Sequence, residues 1–139
     1  MKKFLIKFLA LSAVFFVIAC ENNKKGVTLN HEEIMEGNLS SISGEYINSE
    51  GEVIILESDI TDRLLNDVMY IDGFYYMNVL TDDGMYGIGL TIYPVGVEVM
   101  GWKPNVGEVV LETDETKIRI HFGQDIPMSE QEVFIKSDN

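Results

Sequence analysis

A single cysteine, Cys20, serves the whole 139-residue chain. One thiol cannot close an intramolecular disulfide, and it cannot build a zinc site of two to four thiolates at set spacing. Basic residues are scarce as well: ten Lys and Arg stand against 23 Asp and Glu, for a net charge of −13. Lys2, Lys3 and Lys7 precede Cys20 while every acidic residue follows it. The portion from Cys20 onward therefore holds seven basic and 23 acidic residues, a net charge of −16. Without clustered Lys and Arg, nucleic-acid binding is disfavoured, as is a basic patch gripping anionic lipid headgroups. Cations and basic proteins stay open as partners, and solubility is the plainer use of such charge. Histidine is limited to His31 and His121. Neither has a second histidine at i+2 or i+4, so a zinc pair of that kind is absent. There is no internal repeat and no long amphipathic helix.

What is present begins at the N-terminus. "MKK" is a positive n-region, and "FLALSAVFFVIA" from Phe8 to Ala19 carries no charge over twelve residues. That length suits a signal-peptide h-region and falls short of the roughly 20 residues that span a bilayer, with an uncleaved transmembrane anchor as the alternative. Residues 21–26, "ENNKKG", offer nothing apolar to bury and read as a tether.

The rest reads as β structure. Residues 30–36, "NHEEIME", form one or two helical turns, with Asn30 as cap, Glu33 at N3 as in a capping box and Gly37 in the terminating αL position. Thereafter the period becomes two. In "TKIRIHF", Ile118, Ile120 and Phe122 oppose Lys117, Arg119 and His121; in "EVFIK", Val133 and Ile135 oppose Glu132, Phe134 and Lys136. "GEVIILES", "GFYYMNVL", "GLTIYP", "GVEVMG" and "GEVVLET" are further strand-like runs bounded by Gly, Asn and Asp clusters. "SDITDRLLND" is ambiguous between a short helix and an irregular strand. Parallel sheets need crossover helices, which are missing. The expectation is an all-β domain of about seven or eight antiparallel strands with one short N-terminal helix: most simply a small β-barrel, which removes exposed edges, with a β-sandwich as the alternative.

"VIAC" resembles the lipobox of bacterial lipoproteins, with Val17 at −3, Ala19 at −1 and Ile18 a less usual residue at −2. That resemblance implies diacylglycerol on the Cys20 sulfur, cleavage before it, and acylation of the new amine. Two acyl chains anchor stably where one is marginal. The implied organisation is a lipoprotein signal peptide over 1–19, lipidated cysteine and tether over 20–29, and a single β domain over 30–137. The implied location is the extracytoplasmic face of the cell membrane.

"EGNLSSISGEYINSEGE" resembles the opening of a domain found in small Gram-positive lipoproteins and secreted proteins, the domain of unknown function 6287. Gly37, Asn38, Leu39, Ser40, Ser41, Ile42, Gly44, Tyr46, Asn48 and Gly51 match it, with Tyr46 where many members carry Trp. Tyr93, Pro94, Gly96 and Val97 match a second landmark; Asp114, Thr116, Lys117, Arg119, Ile120, Gly123 and Gln124 match the closing one. The resemblance spans roughly residues 34–136 and implies no catalytic residue, cofactor or partner. "Gly-x-aromatic" near the first strand is also similar to lipocalin-like barrels.

Candidate chemistry is sparse. His31 and His121 read as surface histidines. Asp59, Asp62 and Asp67, then Asp82 and Asp83, then Asp114 and Glu115 form acidic segments that could interest calcium, but none fits the spacing of a helix-loop-helix calcium loop. They read equally as turns. A glycosidase-type carboxylate pair remains open among so many acids. Gly84, Gly87 and Gly89 in "GMYGIG" read as a bend or bulge, since no helix follows to hold phosphate. Tyr70, Phe74, Tyr75, Tyr76, Tyr86 and Tyr93 read mainly as core and cross-strand filler. Trp102, in the apparent loop "MGWKPN", is the first candidate contact residue. Arg119 and Gln124 are the second, either binding a ligand or satisfying backbone groups at a strand end. The reading is a lipid-anchored binding module with no catalytic residue, metal or cofactor assigned. Its partner is an extracellular protein, a cell-wall component or a small ligand. A lipocalin-like carrier of an apolar ligand is the main alternative. A carboxylate-dependent hydrolase and a purely structural surface protein follow.

Overall fold

The computed structural model describes residues 29–139; the signal-peptide, lipidation and tether assignments over residues 1–28 lie outside the described residues. Helix α1 (His31–Met35) opens the domain. Strands follow as β1 (Gly44–Ile47), β2 (Val53–Leu56), β3 (Met69–Ile71), β4 (Phe74–Leu80), β5 (Gly87–Tyr93), β6 (Val99–Lys103), β7 (Gly107–Leu111), β8 (Arg119–Phe122) and β9 (Val133–Lys136).

Helix α1 is short because it is stopped at both ends. Asn30 Oδ1 accepts the Glu33 N–H at 3.3 Å. The reciprocal half of the expected capping box does not form, because the Asn30 N–H donates to Ser41 Oγ instead. At the other end Gly37 takes φ +84°. Its N–H reaches the Ile34 carbonyl, and the Asn38 N–H reaches that of Glu33, the paired bonds of a Schellman stop. One residue, Ile34, is fully buried and ties the helix to the core by about 2 kcal/mol of burial.

Seven strands form one antiparallel sheet in the order β2-β1-β9-β8-β5-β4-β3, while β6 and β7 make a separate hairpin. The sheet does not close. Its end strands β2 and β3 share no ladder, so the barrel gives way to the sandwich-like alternative, an open sheet with a second small sheet against it. Residues 57–68 join the two ends. That ambiguous stretch becomes a 3-10 turn at Thr61–Arg63 and a bridge from Leu64 to Val79.

The register assigns the two faces. Met77 faces Leu90, Leu90 faces Phe122, Ile120 faces Phe134, and Tyr46 faces Lys136. This inner face, with Tyr75 and Ile92, packs against Ile34, Leu39, Ile42, Ile60, Val68 and Ile118 as the main core. The opposite face sets Tyr76, Thr91, His121 and Val133 in one cross-strand row, and Tyr93, Arg119 and Ile135 in the next. The β6–β7 hairpin lies over that outer face. Val99 and Leu111 join Tyr93 and Val133 in a second cluster, with Phe74, Val97 and Val109 around it. Both faces of β8 are therefore covered.

Candidate functional site

The outer face of β8 places two basic side chains side by side under the hairpin, and their surroundings differ. Arg119 has no exposure. Its Nη2 donates to the carbonyls of Pro94 and Val97, both at 2.7 Å, and Nη1 donates to Thr113 Oγ1 at 3.3 Å. Burial pulls its pKa below the ordinary arginine value, with Glu115, Asp114 and Tyr93 opposing. A guanidinium cannot lose its proton in such a setting, so it stays charged and fixes the turn between β5 and β6. Two landmarks far apart in the sequence, "YPVGV" and "KIRI", thus meet through one side chain.

His121 is 4% exposed, which reverses its reading as a surface histidine. Nδ1 is enclosed without a partner, and Nε2 stands 4.0 Å from Glu132 Oε2, beyond hydrogen-bond reach. Neither ring nitrogen has a hydrogen-bond partner among the described residues. Burial lowers its pKa below the usual histidine value, and Glu132 opposes this in part. The imidazole is neutral at physiological pH.

Beside it lies an open groove. Trp102 is a strand residue on β6, paired with Glu108, where the glycine and proline around it suggested a loop. The reason is Gly101: a Cβ there would sit 2.6–2.8 Å from the Leu111 side chain, so the glycine marks close packing within the hairpin. The Trp102 N–H donates to the Pro127 carbonyl at 3.0 Å, which draws residues 124–128 alongside β6. The ring is half exposed and shares a groove of about 470 Å³ with Gln124, Asp125, Ile126 and Met128. That wall continues into a second groove of about 420 Å³, lined also by Glu52, His121, Gly123, Gln131 and Glu132. Gln124 donates to the Gly87 carbonyl at 3.2 Å and is exposed. Trp102 and Gln124 are thus brought together, while Arg119 is inaccessible and bound to the protein's own backbone.

The remaining candidates serve local structure. Asp59, Asp83 and Asp114 each accept hydrogen bonds from a threonine two residues away, and these bonds hold their pKa values below the usual aspartate range. His31 Nδ1 lies 2.8 Å from the Tyr75 hydroxyl and ties α1 to β4. Asn48 Oδ1 accepts the N–H groups of Glu50 and Glu52, and its Nδ2 donates to Glu52 and to the Gln131 carbonyl. Lys136 Nζ donates to the Ser43 carbonyl at 2.6 Å and lies 5.2 Å from the Tyr46 ring centre. A third groove, about 410 Å³ between β2 and β4–β5, is rimmed by Glu57, Arg63 and Asp82. There Arg63 is committed to both carboxylates and to the Leu80 carbonyl. Among the described residues, no three His, Cys, Asp or Glu side chains converge so as to hold a metal.

The sequence reading missed the groove formed by Asp125, Ile126, Met128 and Glu132. Its signal was present in "GQDIPM", a loop that exposes apolar residues around a proline. No family model, curated protein or solved structure matches the chain.

Proposed function

We propose that this chain is a lipid-anchored, extracytoplasmic bacterial lipoprotein of the kind that carries domain 6287, and that it acts as a non-catalytic binding module through the groove beside Trp102. The observation that carries the binding reading is the contrast in commitment. Arg63, Asn48 and Lys136 spend their polar atoms on the fold and Arg119 all of its own but Nε, whereas Trp102, Ile126 and Met128 are 48%, 42% and 49% exposed beside an imidazole without partners. Scattered single apolar residues are ordinary on a surface; a contiguous wall of them beside polar groups marks an interaction site.

Carriage of an apolar ligand inside the sheet is the weaker reading. Ile34, Leu39, Ile42, Tyr46, Met77, Ile92 and Ile120 fill the inner face at 0% exposure. A hydrolase would need titratable groups poised over a cleft with shifted pKa values. Of the carboxylates with lowered values, Asp59, Asp83 and Asp114 are held by their own turns, and Glu130 by its own N–H, that of Glu112 and the charge of Lys103.

The anchor rests on the lipobox resemblance at Cys20. Cells expressing the full chain should incorporate an alkyne-tagged fatty acid into it, and Cys20→Ala should abolish the label and release the protein from the membrane fraction. Labelling that persists in Cys20→Ala overturns the anchored reading.

A further inference from the structure

The groove beside His121 has a chemistry that selects its occupant. Glu52, Asp125 and Glu132 line it, the adjoining groove adds Trp102, and no lysine or arginine lines either. Acidic residues are abundant everywhere on this domain, so three carboxylates alone would mean little. The buried imidazole is the independent sign. Its Cε1–Nε2 edge is turned toward Gly123 and Glu132: a Cβ at Gly123 would lie 2.9 Å from Cε1 and 3.2 Å from Nε2. Gly123 is absent from the positions with positive φ, so its missing side chain preserves space at the ring rather than backbone freedom. Nδ1 is the nitrogen fully enclosed without a partner; Nε2, on the edge turned to the groove, has no hydrogen-bond partner among the described residues and is open to a donor from the groove. Here the gap between Nε2 and Glu132 Oε2 is 4.0 Å, too long for a direct bond and wide enough for one donor nitrogen bonded to both.

We infer that this groove binds a basic peptide segment, a lysine ammonium donating to Glu132 Oε2 and His121 Nε2 while a neighbouring apolar side chain lies on Trp102, Ile126 and Met128. The inference rests on the binding-module reading and gives it a partner chemistry. An ammonium supplies several donors and no acceptor, which matches a carboxylate beside an imidazole acceptor. A peptide is favoured over an amino-sugar polymer because one indole flanked by flexible Ile and Met side chains suits aliphatic side chains better than a stacked pyranose. Glu52 already accepts from Asn48, and Glu132 accepts the Met128 N–H at 2.6 Å, so these carboxylates are held in place before any ligand arrives.

Trp102 is the chain's one tryptophan, and its fluorescence reports on this groove alone. The test is titration of the full chain, in phosphatidylcholine nanodiscs, with three probes: an amidated hexapeptide alternating Lys and Leu, its Glu–Leu counterpart and a glucosamine hexamer. The Lys–Leu peptide should give a saturable change in emission and the Glu–Leu peptide none. Glu132→Gln keeps an acceptor for Met128 but removes the charge, and should weaken binding about tenfold. Glu32→Gln on α1 removes the same charge elsewhere and should leave affinity within about twofold. Gly123→Ala changes no charge yet crowds the imidazole, and should weaken binding about fivefold or more, since Nε2 can no longer take its donor. The inference is overturned by no saturable change with the Lys–Leu peptide, by saturation with the glucosamine hexamer alone, or by equal losses in Glu132→Gln and Glu32→Gln. Wild-type affinity in Gly123→Ala overturns it too. Because fatty-acid labelling at Cys20 is read separately, a labelled protein that ignores the peptide overturns the partner chemistry and leaves the anchor intact.

Discussion

Arg119 and His121 stand two residues apart on one strand, on the same face, under the same hairpin. Both are buried, and both belong to a sequence pattern that reads as the solvent side of β8. At the Arg119 end both terminal nitrogens are answered and only Nε is enclosed without a partner: Pro94 and Val97 each receive a bond of 2.7 Å, and the turn they belong to is also held by the Gly96 N–H on the Glu115 carbonyl. At the His121 end neither ring nitrogen is answered, the residue two positions on, against the ring, is Gly123, and open grooves begin. Burial by itself therefore says little about role. What separates a structural polar group from an available one is whether its hydrogen-bonding capacity is already spent.

The comparison can be broken most forcefully at the spent end. Arg119→Met keeps an unbranched apolar stem but strips three donors from part-buried acceptors, and should lower unfolding free energy by about 3 kcal/mol. Urea denaturation followed at Trp102 measures this, and a loss under about 1 kcal/mol would show that the carbonyls find other partners. Next in size is the lid common to both ends. Gly101→Ala sets a methyl 2.6–2.8 Å from the Leu111 side chain and should cost about 2 kcal/mol by overpacking, most visible as faster amide exchange across β6–β7. The smallest effect belongs to the unspent end. His121→Leu forfeits no protein hydrogen bond, so stability at neutral pH should change by less than about 1 kcal/mol.

His121 should nonetheless show itself in the pH dependence. Burial holds its folded-state pKa below the usual 6.5, so the unfolded chain takes up the proton first. The stability tied to the neutral ring is fully present above 6.5 and is lost as pH falls below that value toward the lowered one. Asp59, Asp83 and Asp114 act in a separate and more acidic window, because their lowered pKa values put the loss below 3.8. In wild type the urea midpoint should fall between about pH 7 and about pH 5.5, and His121→Leu should flatten that stretch of the curve alone.

Much of the fold was legible because period two survives in single strands. Ile118, Ile120 and Phe122 enter the inner core as their alternation requires, and the antiparallel arrangement follows from the missing crossover helices. What alternation cannot report is a second layer. Nothing local to "TKIRIHF" says that β6 and β7 fold back over its polar side, and so His121 was misplaced at the surface, while Arg119 takes the second of its two readings and satisfies backbone carbonyls. Strand β3 escaped notice because it has three residues, all exposed, and no alternation to display. Its signal was the turn instead: Asp72 at φ 51° and Gly73 at φ 93° form the tight reversal in "YIDGFY" that Asp-Gly favours between strands. The site was half legible. Trp102 and Gln124 stood out singly, yet their meeting depends on a bond from Trp102 to Pro127 across 25 residues.

The last strand carries a further consequence, for the order in which the domain can come into being. Strand β9 sits third in the sheet, between β1 and β8, although it follows the other eight strands in sequence. A chain made from its N-terminus holds β1–β2 as one fragment and β3 through β8 as another until residues 133–136 are added. Only then can β1 and β8 join through one continuous sheet, Ile47 and Arg119 both pairing with Ile135. Closing so long a loop is slow relative to forming a hairpin, so the continuous sheet is completed late. Removing residues 133–136 would split the sheet at its interior rather than trim its edge.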